Sequence, residues 1–278
     1  MRVDLHLHTN ASDGQHTPSE LVVLAQKFDI IAITDHDTTD GIAEAQEAAR
    51  KIGSPQIIPG IEFSAEDDAG DVHMLGYFID TQDAAFQAEL QKFQSDRFTR
   101  GQRMVEKLAA LGLPLDWNRI AALADGGSIG RPHIARAMVE AGYVETVREA
   151  FDRYIANDGI AYVARRRLSP EEAVHMIHAA KGVAVLAHPG LLPDPEAMVR
   201  RLLPHGLDGV EVTHPSNSES VRLQMRALAR EFSLIMTGGS DFHGLAIKPD
   251  VRIGMETPPE GCVQALRQRA QRYATPKP

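Results

Sequence analysis

The chain has 278 residues, 43% hydrophobic and 24% charged, which suits one large α/β domain or a domain with an insertion and argues against disorder. Its formal charge of −9 excludes a general surface for coating long nucleic acids, and no apolar run approaches the ~20 residues of a membrane span. The single cysteine, Cys262, excludes an intramolecular disulfide and a thiolate zinc cluster, and the lack of a leader-type apolar stretch gives the expectation of a cytoplasmic protein.

In chain order, residues 3–8 read as a strand and 18–28 as a helix with Ser19 and Glu20 in its first turn. A buried-type strand follows at 30–34, then a helix over about 38–52 capped by Asp37 or Thr38, and strands at 56–62 and 72–79. From 83 to 169 the strand signal disappears. Apolar residues at helical spacing (Phe86, Leu90, Phe93, Met104, Leu108, Leu111) predict a long helix over 86–111, with shorter ones at 120–124, 132–141 and 147–155. The alternation then resumes, with helices at 171–180, 196–203, 218–231 and 261–272 and strands at 183–187, 209–213 and 234–237. Repeated β-α alternation implies a mainly parallel sheet, open or closed into a barrel. Residues 1–82 and 170–278 are therefore expected to form the barrel, and 83–169 a helical insertion that contributes to substrate recognition.

Unusual polar residues gather where strands end. His6 and His8 are two apart on a strand, so both rings leave one face ~7 Å apart. Asp13 follows in the next loop, Asp35-His36-Asp37 ends the second strand, Glu62 the third, His188 a later one, and Asp241-Phe242-His243 the last. The C-terminal strand ends of a parallel barrel share one face, where barrel enzymes place their sites. His73 opens a strand instead, and would join the others if that strand ran antiparallel or the loop folded back. Each feature has a plain structural alternative: a surface His-x-His, a helix cap, a turn. Together they form a convergence of polar groups that would be costly without cations to satisfy it.

His6-x-His8, Asp13, Thr34-Asp35-His36-Asp37, Gly60-Ile61-Glu62, His73, Ala187-His188-Pro189 and Gly239-Ser240-Asp241-x-His243 together resemble the PHP (polymerase and histidinol phosphatase) superfamily. The resemblance implies an α/β fold, a distorted seven-stranded β/α (TIM-like) PHP barrel, with three divalent metal ions. It implies that His6, His8, Glu62 and Asp241 hold one ion, that Glu62 bridges to a second bound by His73 and His188, and that Asp13, His36 and His243 hold the third. Histidine-rich mixed ligation suits manganese first, with iron or zinc as alternatives. Three such ions against three carboxylates leave the site at roughly +3, so an acidic protein acquires a pocket for an anion.

Within the superfamily, the helical insertion and Gly130-Arg131-Pro132-His133-Ile134-Ala135 resemble phosphatases of nucleoside 3′,5′-bisphosphates, relatives of which trim RNA from its 5′ end. The expected reaction removes the 3′-phosphate, leaving nucleoside 5′-monophosphate, with a metal-activated hydroxide as nucleophile. Arg131 offers a planar fork for the second phosphate and His133 a further donor. Arg97, Arg100, Arg103 and Lys107 form a basic helix face, of which Arg97 and Arg100 are substrate-contact candidates, with a solvated face as the plain alternative for the whole stripe. Arg165-Arg166-Arg167 reads as surface, and His16, His175, His178 and His205 as structural; His214, at a strand end, is a candidate supporting residue. The expected partner is a small nucleotide, or short oligonucleotides, with neither a membrane nor long nucleic acid. The alternatives are a 5′-to-3′ exonuclease using the same site, a histidinol phosphatase, and a metal-binding module without turnover.

Overall fold

The computed structural model describes residues 1–68, 70–124, 129–163 and 168–274, without the side chains of Gln94, Asp96 and Arg97. Arg165-Arg166-Arg167, the Pro-Lys-Pro end and the Arg97 side chain therefore lie outside the described residues. The strands are β1 (Val3–Asp4), β2 (Ile30–Ile33), β3 (Gln56–Asp67), β4 (Gly70–Tyr77), β5 (Val183–Leu186), β6 (Gly209–Thr213) and β7 (Ile235–Gly238). They lie side by side in sequence order. Between the two edges, Leu7 bridges Phe242 in parallel, and Asp241 donates its N–H to the His6 carbonyl at 2.9 Å. The sheet thus nearly closes into a seven-stranded barrel. Gly239 permits the close approach at this seam, since a Cβ there would sit 2.4 Å from that of His6.

Six strands run one way. β4 alone is antiparallel to both neighbours, pairing Ser64 with His73 across β3 and Met74 with Leu186 across β5. This reversal brings the start of β4, and His73, to the face where the other strands finish. β3 runs past Glu62 to Asp67 because its long hairpin with β4 continues after the regular ladder with β2 ends at Pro59, Glu62 keeping one parallel bridge to His36. Glu62 therefore lies within a strand rather than at its end. β1 is shorter than expected because the ladder breaks up after Asp4: Leu7 donates its N–H to the Thr34 hydroxyl at 3.1 Å rather than to a backbone carbonyl.

Helices α1 (Pro18–Leu24), α2 (Asp40–Ile52), α7 (Pro170–Ala179), α8 (Pro195–Leu202), α9 (Glu219–Glu231) and α10 (Cys262–Ala274) surround the barrel. Thr17 with Glu20 and Ser169 with Glu172 form capping boxes at the starts of α1 and α7. α2 begins after Thr39, without a side-chain cap, because Asp37 is turned away to accept the Ser64 N–H at 2.9 Å. Between the two runs of strands lie α3 (Ala84–Ala110), α4 (Trp117–Leu123), α5 (Arg131–Glu140) and α6 (Val147–Ala150), which continues into a π-helical turn at Phe151–Ile155. The start of α3 buries Phe86 and Leu90 against the barrel's outer core, whereas its end packs Met104 and Leu108 into a separate cluster with Ile120, Ile134 and Met138. One helix thereby ties the helical segment to the barrel.

Candidate metal centre

Among the described residues, overlapping clusters of imidazole nitrogens and carboxylate oxygens adjoin at the C-terminal mouth of the barrel; one joins His6 to Glu211 and His214, and three are built from the residues named from the sequence. In the first, His6 Nε2 and His8 Nε2 each lie 3.1 Å from Glu62 Oε2, and 3.5 and 3.3 Å from Asp241 Oδ1. In the second, His73 Nδ1 and His188 Nε2 each lie 2.9 Å from Glu62 Oε1. In the third, Asp13 faces His243 Nε2 at 3.3 Å and His36 Nε2 at 3.8 Å, with His8 Nδ1 at 3.7 Å. Glu62 thus turns one oxygen to each of the first two clusters. All nine residues named from the sequence meet here.

The groups suit a cation on chemical grounds. Donors bound at ~2.1 Å to one ion stand about 3.4 Å apart, close to the spacings found. Neither ring nitrogen of buried His8 has a well-aligned hydrogen-bond partner. His243 Nδ1 is 2.9 Å from the Asp241 carbonyl, which can only accept, so the ring proton resides there and Nε2 presents its lone pair to the cluster. Burial alone would raise the carboxyls of Asp13, Glu62 and Asp241, but the surrounding histidines hold all three well below the usual range. Burial also pushes His36 down to about 3 and lowers His188, leaving neutral nitrogen donors. Against its burial, the carboxylates raise His8 to about 9, so a cation binding there displaces a proton.

Other buried polar groups fix these ligands, and sequence reading missed most of them. Glu211 lies on β6, completely buried, with Oε1 3.0 Å from His6 Nδ1 and Oε2 accepting the His188 backbone N–H at 2.7 Å. Asp4 accepts the N–H and hydroxyl of Ser240 and the N–H of Gly254, anchoring the loop that carries Asp241. Asp35 accepts the Thr9 N–H and the hydroxyls of Thr9 and Ser12, each at 2.7 Å, shaping the loop that carries Asp13. Lys248 Nζ at 2.6 Å and His214 Nε2 at 3.3 Å lie against Asp241 Oδ2, leaving Oδ1 for the cluster. The available signal was a charged residue inside an otherwise apolar strand, as in Gly209-Val210-Glu211-Val212.

Two cavities open from the cluster, on either side of His133. One, of about 190 Å³, reaches from Asp13, His36 and His73 to Arg100, Arg131 and Phe151. There Arg131 donates to Asn157 Oδ1 at 2.7 Å, with its guanidinium carbon 5.6 Å from the centre of the Phe151 ring. Arg100 donates to the Val163 carbonyl at 2.6 Å and stacks on Tyr162, so part of its binding capacity is taken by the segment returning to the barrel. The other cavity, of about 290 Å³, is bounded by Arg136, Leu191, Ile247 and Lys248 beyond the ligand side chains.

The profile of the PHP domain matches residues 4–160, more than half of the chain. The chain belongs to the PHP family. Over 247 residues this PHP protein is 37% identical to the 5′-3′ exoribonuclease Rnm of Salmonella typhimurium, a match covering 86% of the chain and 84% of the relative. Over 248 residues it is 34% identical to the 3′,5′-nucleoside bisphosphate phosphatase of Chromobacterium violaceum, covering 87% of each. A solved structure from Bifidobacterium adolescentis, of inferred metal-dependent phosphoesterase function, superposes with a TM-score of 0.86 at 34% identity over 96% of both chains. The PHP chain is accordingly a metal-dependent phosphoesterase. No helix among its described residues is long and apolar enough to cross a membrane.

Proposed function

We propose that the protein removes the 3′-phosphate of nucleoside 3′,5′-bisphosphates, using three divalent ions, manganese first, held by the nine clustered residues. The observation that carries this reading is the cavity joining the metal-facing groups to Arg131. It has a phosphate-attracting end, a guanidinium end and the Phe151 ring near the latter, which matches a substrate with two anionic groups flanking a nucleoside. When bound, divalent ions supply positive charge against the phosphoryl oxygens and lower the pKa of water. In the reaction, a water oxygen forms a bond to phosphorus, the bond from phosphorus to the 3′-oxygen breaks, and that oxygen takes up a proton. Arg131, fixed by Asn157 and Phe151, grips the 5′-phosphate. His133 accepts the Gly130 N–H at Nδ1, 3.0 Å away, so its neutral ring carries the proton on Nε2 as a donor for substrate oxygen. Arg97 and Arg100, both on α3, would assist, and the segment from α3 to α6 serves substrate recognition.

A second reading, 5′-to-3′ exonuclease action on short oligonucleotides, is favoured by the other cavity. A phosphodiester differs from the bisphosphate by one further ester on phosphorus, and the space beside Arg136 and Lys248 could hold the next nucleotide. Phosphate and nucleotide release from adenosine 3′,5′-bisphosphate, a short 5′-phosphorylated RNA and histidinol phosphate distinguishes the readings. Preferred formation of adenosine 5′-monophosphate and phosphate is the expected outcome; RNA degradation with the bisphosphate untouched rejects it. Arg131→Ala should raise KM for the bisphosphate roughly tenfold or more while changing that for an aryl phosphate much less, since a charge-assisted phosphate contact contributes about 1.5–3 kcal/mol. Equal effects on both substrates would remove Arg131 from the recognition role.

A further inference from the structure

The carboxylate of Glu211 stands outside the nine ligand residues and is fully buried in β6. A charge in that position is costly unless its oxygens are satisfied. Both are. Oε1 lies 3.0 Å from His6 Nδ1, and Oε2 accepts the backbone N–H of His188 at 2.7 Å. The main chain of Glu211 is fixed in turn, because Asn217 donates its side-chain amide to the Glu211 carbonyl at 3.0 Å. The acid is thus held on a rigid strand against two ligand residues belonging to different clusters.

Each contact decides something about a ligand. With an ion held between His6 Nε2 and the oxygens of Glu62 and Asp241, the ring would be neutral with Nε2 bare, and because an ionised carboxylate only accepts, the Glu211 contact would fix the remaining proton on Nδ1. His188 has a backbone φ of 23° and ψ of 60°, a region that non-glycine residues rarely occupy, and its side chain reaches Glu62 from that conformation. The bond from its N–H to Glu211 holds the strained residue in place.

We infer that Glu211 is a positioning residue shared by two clusters of the metal centre, setting the His6 tautomer and the His188 backbone so that both rings present Nε2 to ions in adjacent clusters. The inference rests on the proposed ligand assignment. Glutamine at this position preserves shape but has only one accepting oxygen. If that oxygen takes the His188 N–H, the amide N–H₂ faces His6 Nδ1 and forces the ring proton onto Nε2, where it blocks coordination. If it takes His6, the His188 N–H meets another donor. Either arrangement damages one of the two clusters.

The test compares manganese binding by the wild-type chain and by Glu211→Gln, after chelation and dialysis, using calorimetry and elemental analysis, with circular dichroism as a check on folding. The expected result is a folded variant with ion affinity lowered about 10–100-fold, the usual effect of removing an outer partner of a ligating histidine. Unchanged affinity in the folded variant overturns the positioning role while leaving the ligand reading intact. A wild-type chain that binds no divalent ion overturns the ligand reading, and the inference with it. A measurement on the wild-type chain alone covers the case in which Glu211→Gln does not fold. In zinc-loaded, ¹⁵N-labelled protein, long-range ¹H–¹⁵N correlations should show His6 protonated at Nδ1, and a proton on Nε2 overturns the proposal.

Discussion

Asp241 divides its two oxygens between two tasks. Oδ1 faces His6, His8 and His243, while Oδ2 is held by Lys248 and His214. Its backbone φ of 55° shows that the loop is bent to bring this carboxylate inward, and His188 and Asp37 share such positive values at the same mouth. Asp241→Asn keeps the shape and removes the charge, so the expected result is loss of bound metal together with a fall in phosphate release of at least about a hundredfold, judged by analogy with removal of other preorganised electrostatic groups. A pure, metal-loaded variant with unchanged turnover would exclude Asp241 as a ligand. The nine clustered residues were legible in the sequence because histidines and carboxylates recurring in or beside successive strands are unusual in any structural role. Glu211 and Asp4 were not, since a single acid within an apolar strand acquires meaning only when the topology sets its partner beside it. Glu211 is separated from His6 by 205 positions.

At the level of elements, the opposite end of the barrel is held by Asp208, just before β6. Its side chain is 1% exposed and accepts from the Ala184 N–H at 3.0 Å and the Tyr273 hydroxyl at 2.9 Å, with His178 Nε2 also at 2.9 Å and Arg269 alongside. One carboxylate therefore fastens α7, β5 and α10 together. Burial would raise this acid, but His178, the Ala184 N–H and Arg269 outweigh it and lower its pKa. A lowered folded-state value stabilises the fold above the unfolded carboxyl range, near pH 4, and that contribution disappears as pH falls through the folded value. Asp208→Asn should cost about 3 kcal/mol at pH 7, with the gap from wild type constant down to about pH 4 and narrowing below it. Urea titrations of metal-free protein would reveal this, and a gap that does not change with pH would assign the loss to packing alone. Most elements could be placed from periodicity, because their apolar faces are local patterns. The direction of β4 could not, since residues 72–79 alternate similarly whichever neighbour they join. The over-run of β3 was hidden for the same reason: a hairpin arm and a barrel strand have one sequence signature.

Across the whole molecule, the charge of −9 and the expected preference for anionic substrates are compatible because the site's field depends on what its own donors hold. Those donors come from nearly the full length of the chain, from His6 to His243, and from both sides of the seam where Leu7 meets Phe242. Ions bound there cross-link the two edges of the sheet with the β3–β4 hairpin and the end of β5. Unfolding disperses the donors, so binding should favour the folded state strongly. For a single site at a free-ion concentration a hundred times its Kd, linkage gives about 2.7 kcal/mol. In a chain of this size each kcal/mol moves Tm by roughly 2–4 °C. Chelation should therefore lower Tm by roughly 5–10 °C, and added manganese should restore it, with a larger shift if more than one site is filled. Scanning calorimetry over a series of free manganese concentrations checks both the sign and the logarithmic dependence. A Tm indifferent to chelator and manganese would mean that the clustered groups do not gain an ion on folding, and would remove the physical basis for a metal centre at the barrel mouth.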